Sequence, residues 1–153
     1  MAARKILVPF NFAPKDEKAL HFVIKQFGGD RYSKVTLFHV YQPIPEVDGY
    51  EPSLLRLRST MASLSGELRL QENKLKEIIR DLIDSGFAED QVNYIFRPKK
   101  KSIPEEIVNI VNELHYDTLV LTTNPKRLAY SFGKSVHDYA INNLRNVLIC
   151  IIT

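Results

Sequence analysis

Residues 131–135 read SFGKS and carry the clearest chemical signature in the chain. The last three match the end of the phosphate-binding P-loop, G-x-x-x-x-G-K-[ST], in which backbone N–H groups wrap the phosphates and the lysine reaches them. The complete motif needs a glycine at position 128, directly after a strand. That position holds Leu128, and the preceding strand-like run ends several residues earlier. We therefore conclude that SFGKS is not a P-loop.

The predicted helix start at this position is a second reason to expect a bound anion. Lys134 and Ser135 open a predicted helix, and the free N–H groups and dipole of a helix start favour negative charge. The net charge points to the same part of the chain. Residues 1–90 carry 13 Lys/Arg and 13 Asp/Glu, whereas residues 91–153 carry 8 and 5. This excess is too small for a nucleic-acid-binding protein, so we expect no nucleic-acid partner, but it suffices for a local anion site.

Length and composition are those of one globular domain. The chain has 153 residues, of which 44% are apolar and 25% charged. No apolar run approaches the roughly 20 residues that a membrane helix needs, and the start, MAARKILVPF, lacks the apolar region of a signal peptide. A lone cysteine, Cys150, cannot form an internal disulfide. We expect a single domain over residues 1–153, cytoplasmic and without membrane contact.

Hydrophobic periodicity predicts five strands that alternate with four helices. The strands are predicted at 5–10, 34–41, 91–96, 118–122 and 146–152, and the helices at 16–27, 53–85, from a capping box at 102–105 onward, and at 135–144. We interpret the long second helix as packed on a sheet and not as a coiled-coil seam. Alternation with nearly continuous apolar strands is typical of a parallel sheet with helices on both faces, a three-layer α/β/α fold.

In such a sheet, ligands bind outside the carboxyl ends of the strands, where the strand order reverses. Basic residues of the last third of the chain are predicted to lie at this edge. We expect them to form an anion-attracting rim, with a solvated loop as the alternative for the run Lys99–Lys101. The rim comprises Arg97, Lys99, Lys100, Lys101, Lys126, Arg127 and Lys134.

The side chains that could catalyse a reaction are scattered. His21, His39, His115 and His137 lack the spacing of metal ligands, and no Ser/His/Asp set indicates nucleophilic catalysis. We interpret His39, in a predicted strand, as a packed residue. His137 is the only histidine that the sequence places near the candidate site, and for it too we favour a structural role. We expect no metal and no catalytic residues, with weak nucleotide hydrolysis left open.

Four segments, in order, resemble the universal stress protein family. They are KILVPFNFAPKDEKAL, VTLFHVY, SIPEEIVNIVNELHYDTLVLTT and FGKSVHDYAINNLRNVLICII, and together they cover nearly the whole chain. The resemblance implies a five-stranded sheet of order 3-2-1-4-5, Rossmann-like and similar to the adenine nucleotide alpha hydrolases. It also implies a homodimer formed through the last strand, Asn146 to Ile152, an apolar edge that invites pairing.

One branch of this family binds ATP, with an Asp at the end of the first strand, a Val after the second and a loop G-x2-G-x9-G-[S/T] after the fourth. Here Asn11 stands in place of the Asp, whereas Val40 is kept. An amide cannot accept two hydrogen bonds as a carboxylate does. The first part of the signature is therefore altered in this chain.

The loop departs further from the ATP-binding signature. Thr122 and Pro125 stand at its first two glycines, and Pro125 has no backbone N–H to offer a phosphate. Gly133 keeps the third glycine, but Lys134 follows it in place of Ser or Thr, and the loop is about two residues shorter than the pattern. The chain thus resembles the branch without an intact ATP-binding motif.

We predict a non-catalytic, dimeric stress-response or regulatory protein with weak or no ATP binding and no required cofactor. The alternative is a module that binds ATP, another adenine nucleotide or another small anion, with or without slow ATP hydrolysis. The alternative uses the helix start Gly133-Lys134-Ser135 and the loop Thr122–Arg127. The candidate site lies at the carboxyl edge of the predicted sheet. It comprises Pro9, Asn11, Val40, Thr122, Thr123, Pro125, Gly133, Lys134 and Ser135.

Overall fold

The computed structural model describes residues 3–44, 52–123 and 136–153, with side chains from residue 58 onward in the second segment. These residues form five strands, four α-helices and one 3₁₀ turn at Glu89–Gln91. The strands are β1 (Arg4–Pro9), β2 (Ser33–Tyr41), β3 (Val92–Pro98), β4 (Thr118–Thr122) and β5 (Leu148–Ile152). The helices are α1 (Asp16–Phe27), α2 (Pro52–Asp84), α3 (Ile103–Leu114) and α4 (Val136–Asn143).

The strands form one sheet of order β3-β2-β1-β4-β5 in which all neighbours are parallel. The pairing of β1 with β2 runs from Arg4 opposite Ser33 to Pro9 opposite Phe38. On its other side β1 pairs with β4, Leu7 lying opposite Leu119. The predicted fold class and sheet order are confirmed. The strand order reverses beside β1, so its carboxyl end is where a ligand is expected.

Most predicted boundaries agree with the structure, and the exceptions have physical causes. β5 begins at Leu148 and not at Asn146, because Asn146 has a left-handed backbone with φ of 58° that no strand accommodates. α3 ends at Leu114, which is 37% exposed. The predicted start of the last helix at Ser135 lies outside the described residues.

The core has two layers because side chains of a strand alternate between the faces of the sheet. Ile6 and Val8 of β1 point to the layer formed with α1 and the C-terminal part of α2, where Leu75 and Leu82 are buried. Leu7 points to the other layer, formed with α3 and α4. Leu7 is fully buried, and its truncation to Ala is expected to cost about 2–5 kcal/mol. Both faces are therefore covered, which explains the nearly continuous apolar strands.

The N-terminus of α3 lies beside the sheet edge that holds the candidate site. Ser102 caps the helix, its Oγ accepting from the backbone N–H of Glu105 at 3.4 Å. The Glu105 carboxylate accepts from the Ser102 hydroxyl and not from its backbone N–H, so one half of the predicted capping box is formed. None of the helices in the described ranges is long and apolar enough to cross a membrane.

Candidate functional site

A cleft of about 420 Å³ opens at the carboxyl ends of β1, β2 and β4, between the start of α1 and the starts of α3 and α4. Its position is the one expected for a ligand site in an open parallel sheet. Most of the wall is apolar and comes from Phe10, Phe38, Val40, Ile107, Leu121 and Val136. Among the residues that the structure describes, the polar side chains that line it are Asn11, Lys15, Asp16, His39, Thr122 and His137.

The structure brings together four of the nine residues predicted for the site. Pro9, Asn11, Val40 and Thr122 all line the cleft. Thr123 does not line it: its side chain is buried, and its N–H donates to the carbonyl of Ile152 at 3.0 Å. The other predicted residues lie outside the described residues. They are Pro125, Gly133, Lys134 and Ser135.

Asp16 is a site residue that the motif comparison missed. Its carboxylate is buried at the cleft, where one oxygen accepts from the N–H groups of Asn11 and Ala13 at 2.9 and 3.0 Å. The other oxygen accepts from the hydroxyl of Thr122 at 3.2 Å. One signal in the sequence could have revealed it. Asp16 lies on the buried face of α1, three positions before Ala19, where an acidic residue needs a partner.

The β1–α1 turn that Asp16 holds is strained. Phe12 has a φ of 57°, a left-handed conformation that is uncommon for a bulky residue and costs about 1–3 kcal/mol. Its ring packs edge-on against Phe10 at 5.2 Å and against His39 at 4.8 Å. Because Asp16 binds the N–H groups of the residues before and after Phe12, the carboxylate fixes this conformation.

His39 is packed, as its strand position predicted, and it also lines the cleft. Its ring stacks on Phe96 with 5.6 Å between centroids, and Nδ1 lies 2.8 Å from the carbonyl oxygen of Phe10. A carbonyl only accepts, so Nδ1 carries the proton in this bond. Burial lowers the pKa of His39, although the bond to Phe10 and the charge of Asp16 act against that shift. The neutral ring therefore presents Nε2 as an acceptor.

His137 lines the same cleft from the first turn of α4. Both of its ring nitrogens are buried, and no group in the described parts of the chain offers either a hydrogen bond. A buried donor or acceptor left unpaired costs about 1–3 kcal/mol and calls for an explanation. The expectation that only His137 lies near the site is wrong, because His39 lines the cleft as well.

Arg97, predicted for the basic rim, is neutralised by a neighbour. Its guanidinium lies 3.3 Å from the carboxylate of Glu106, which is 5% exposed, and stands over the ring of Phe38. The other Glu106 oxygen accepts from the N–H groups of Lys100 and Lys101 at 3.0 and 2.9 Å. Burial raises the pKa of Glu106, but these N–H groups and Arg97 together outweigh it and hold the pKa below its usual value.

The lysine run behaves as a solvated loop. The side chains of Lys100 and Lys101 are exposed, and neither they nor Lys99 line the cleft. Lys126, Arg127 and Lys134 lie outside the described residues. Of the cleft-lining residues in the ranges described, Lys15 alone is a lysine or arginine. The same ranges contain no group of three or more His, Cys, Asp or Glu side chains that could hold a metal ion.

The fold and the position of the cleft agree with the family resemblance seen in the sequence. A comparison with family models decides whether the chain belongs to that family. The model of the universal stress protein family matches residues 2–150. The chain belongs to the universal stress protein family. No curated protein sequence matches this universal stress protein.

Solved structures resemble this universal stress protein over nearly its whole length. Hypothetical protein MJ0577 aligns with a TM-score of 0.67 and 22% identity, covering 99% of this chain and 96% of that one. The universal stress protein UspA from Lactobacillus plantarum gives 0.64 and 12%, covering 100% and 99%. A family protein from Arabidopsis thaliana with AMP bound gives 0.62 and 13%, covering 98% and 92%. At these identities the likeness establishes the fold.

Proposed function

We propose that this universal stress protein is a non-catalytic regulatory protein of the stress response that binds an adenine nucleoside or nucleotide weakly. The cleft holds the base and ribose, and the phosphates contribute little to affinity. One observation carries the proposal: an apolar cleft with a few convergent polar groups lies at the point where the strand order reverses. The whole chain acts as one domain, and its unpaired Cys150 suits the reducing cytoplasm.

The size and walls of the cleft fit a nucleoside. Its volume of about 420 Å³ falls in the range of about 300–1,000 Å³ that is usual for small-molecule sites. Phe10, Phe38 and Val40 offer an apolar surface on which a planar base can pack. The relative from Arabidopsis thaliana solved with AMP bound supports this class of ligand.

The charges of the described cleft residues fit a triphosphate poorly. Triphosphate sites use several backbone N–H groups and cations that face the ligand. In the described lining, the positive charge of Lys15 is followed in the sequence by the negative charge of Asp16. The two charges cancel, so this pair gives no net attraction for a phosphate. Thr122 and Pro125 also replace the first two glycines of the ATP-binding loop. Weak binding with little dependence on phosphate number follows.

Two polar groups of the cleft, Asp16 and His39, are engaged in structure, which supports a binding role and not a catalytic one. Both carboxylate oxygens of Asp16 accept hydrogen bonds from the protein. Nδ1 of His39 is bonded to the carbonyl of Phe10. Nδ1 of His39 has no nucleophile as its partner, and the bond from the Thr122 hydroxyl to Asp16 joins β4 to the start of α1.

Calorimetric titration of the native protein with adenosine, AMP and ATP tests the proposal. We expect similar, weak affinities for all three, with ATP less than about tenfold tighter than AMP. Val40→Phe, which fills the cleft, is expected to abolish binding, whereas Leu70→Phe on the exposed side of α2 serves as the control. ATP binding that is more than a hundredfold tighter than AMP binding overturns the proposal.

The second candidate function, an anion site at the helix start, predicts a different result. If Lys134 holds a phosphate, Lys134→Ala reduces affinity for ATP and leaves adenosine unchanged. The base-and-ribose proposal predicts that the variant leaves both affinities nearly unchanged. The same titration therefore separates the two.

We further propose that the protein forms a homodimer through β5. This strand pairs with β4 on one side and is the last in the sheet order. Leu148 and Ile151 on it are 54% and 41% exposed. An apolar edge strand with free backbone groups is a template for pairing with another strand.

A further inference from the structure

The lysine run that precedes Ser102 does not line the cleft, and its side chains serve no part of the site described above. Residues 97–102 read R-P-K-K-K-S, so a serine directly follows a dense group of basic residues. Glu106 binds the backbone N–H groups of Lys100 and Lys101, while the side chains of both lysines are exposed. The bonds that shape this loop therefore leave the two ammonium groups in solvent.

The hydroxyl of Ser102 is accessible and lightly held. Ser102 is exposed, and within the described parts of the chain its hydroxyl bonds only to Glu105. It donates to the Glu105 carboxylate at 3.0 Å and accepts from the Glu105 N–H at 3.4 Å. The backbone of Ser102 is extended, with φ of −61° and ψ of 154°, and residues 99–102 belong to neither a helix nor a strand. The segment therefore has the extended form in which protein kinases bind their substrates.

We propose that Ser102 is a phosphorylation site for a serine kinase that recognises basic residues before its target. In the transfer, Oγ of Ser102 attacks the γ-phosphorus of ATP, and the bond from that phosphorus to the bridging oxygen breaks. ADP leaves, and the hydroxyl proton passes to the catalytic aspartate of the kinase. Acidic side chains along the substrate groove of the kinase pair with the exposed lysines. The proposal does not depend on a nucleotide in the cleft.

A second serine with basic residues before it shows what the fold adds to the sequence. Ser59 follows Arg56 and Arg58 and is also exposed, but it lies inside α2. Its backbone N–H and C=O groups belong to the helix, so the segment has to unwind before it fits an extended groove. The three lysines before Ser102 need no such unwinding, because they already lie outside the helices and strands. The structure therefore favours Ser102 over Ser59.

A phosphate on Ser102 adds charge at the N-terminus of α3, where Ser102 is the N-cap. A phosphoserine carries about −1.5 to −2 charges and three acceptor oxygens, and the N–H groups and dipole of a helix start attract negative charge. The Glu105 carboxylate loses its bond from the Ser102 hydroxyl and repels the phosphate. Three neighbouring lysines and the helix start outweigh this single carboxylate. We therefore expect phosphorylation to stabilise the first turn of α3.

Phosphorylation of the native protein tests the site. The protein is incubated with ATP and the catalytic domain of a basophilic serine kinase, such as protein kinase C, and the product is mapped by mass spectrometry. We expect one phosphate, on Ser102, with Ser59 modified at least about tenfold more slowly. Ser102→Ala should abolish the main product, and the matched control Ser59→Ala should leave its rate unchanged. Failure to modify Ser102, or equal rates at Ser59 and Ser102 in the folded protein, overturns the proposal.

The class of kinase needs its own test, because Glu105 lies three residues after Ser102 and suits kinases that recognise acidic residues instead. With the basophilic kinase, the double variant Lys99→Gln/Lys100→Gln should lower kcat/KM for Ser102 by about tenfold or more. Glu105→Gln should leave that value nearly unchanged. If a casein kinase that reads acidic residues modifies the native protein faster, and Glu105→Gln alone slows that reaction, the role of the lysines is overturned.

Thermal unfolding of the phosphorylated and the unmodified protein measures the effect on α3. We expect the phosphorylated protein to melt about 2–4 °C higher in low salt. The difference should shrink at high salt, because salt screens the charges. An equal or lower melting temperature in low salt overturns the stabilising role of the phosphate, whereas the mass mapping decides the site itself.

Discussion

The hydroxyl of Thr122, at the end of β4, donates a hydrogen bond to the carboxylate of Asp16, at the start of α1, with 3.2 Å between the two oxygens. The residues are 106 positions apart in the chain. The same carboxylate holds the turn after β1 through the N–H groups of Asn11 and Ala13. One buried side chain thus joins two segments of the cleft.

Asp16→Ala tests this joining role. The substitution leaves two backbone N–H groups without their acceptor, and hydrogen bonds to a charged group contribute about 1.5–3 kcal/mol each. We expect the free energy of unfolding in urea to fall by about 3 kcal/mol. Glu17→Ala, in the same helical turn but exposed, is the control and should change it by less than about 0.5 kcal/mol. Equal effects of the two substitutions would contradict the role of Asp16 in joining the two segments.

Glu106 is expected to make stability depend on acidic pH. Its folded-state pKa is held below the ordinary 4.5, so its contribution is complete above pH 4.5 and is lost as the pH falls through the lowered value. Glu106→Gln should lower the free energy of unfolding at pH 7 by about 2 kcal/mol. It should also weaken the dependence of that free energy on pH below pH 4.5. Urea unfolding at several pH values measures this.

The matched control for Glu106 is Glu113→Gln, since Glu113 is an exposed residue of the same helix. The free energy of unfolding of this variant should depend on pH as that of the native protein does. If the stability of Glu106→Gln equals that of the native protein from pH 7 down to pH 4.5, the bonds of Glu106 to Lys100, Lys101 and Arg97 are not formed in solution.

His39 is expected to produce a second pH dependence, of the same sign. Burial lowers its pKa from 6.5 in the folded chain, so below pH 6.5 the unfolded chain binds more protons and stability falls. The slope attributable to His39 should be at most about 1.4 kcal/mol per pH unit between pH 6.5 and the lowered pKa. His39→Phe should remove this slope, whatever its effect on the absolute stability. His21→Gln, at an exposed site on α1, should leave the slope intact.

The dimer proposal can be tested with charged substitutions on β5. Leu148 and Ile151 are exposed in the monomer, so lysine at either position should leave the fold intact. Sedimentation equilibrium at micromolar protein is expected to show a native dimer and a monomeric Leu148→Lys variant with unchanged circular dichroism. Leu70→Lys on α2 is the control. Sedimentation of the native protein as a monomer would contradict the proposed dimer.

Local sequence patterns predicted the elements well because each is encoded by nearby residues. Hydrophobic periodicity placed α1 at Asp16–Phe27 and β4 at Thr118–Thr122, as observed. Boundaries shifted where one residue adopts an unusual backbone. Asn146, left-handed before β5, is such a case.

The candidate site was predictable only in its location. Topology alone places the ends of β1, β2 and β4 at one edge, and Pro9, Asn11, Val40 and Thr122 were found there by position. Nearby residues in the sequence do not determine which polar atoms of the cleft are free to bond to a ligand. Asp16, predicted only as the first residue of a helix, proved to be a buried tertiary acceptor, and Arg97, predicted for a basic rim, proved to be paired with Glu106.

The sequence by itself determined the family, through the resemblance of four segments, and the order of elements, through hydrophobic periodicity. The handedness of β-α-β connections then predicted the edge at which a ligand site is expected. Only the tertiary structure decided the chemistry of that edge. Burial and hydrogen bonds from distant segments occupy Asp16 and Nδ1 of His39, and no described residue bonds to the ring nitrogens of His137. The physical reason is that a side chain's remaining hydrogen-bonding capacity depends on neighbours that only folding brings into contact.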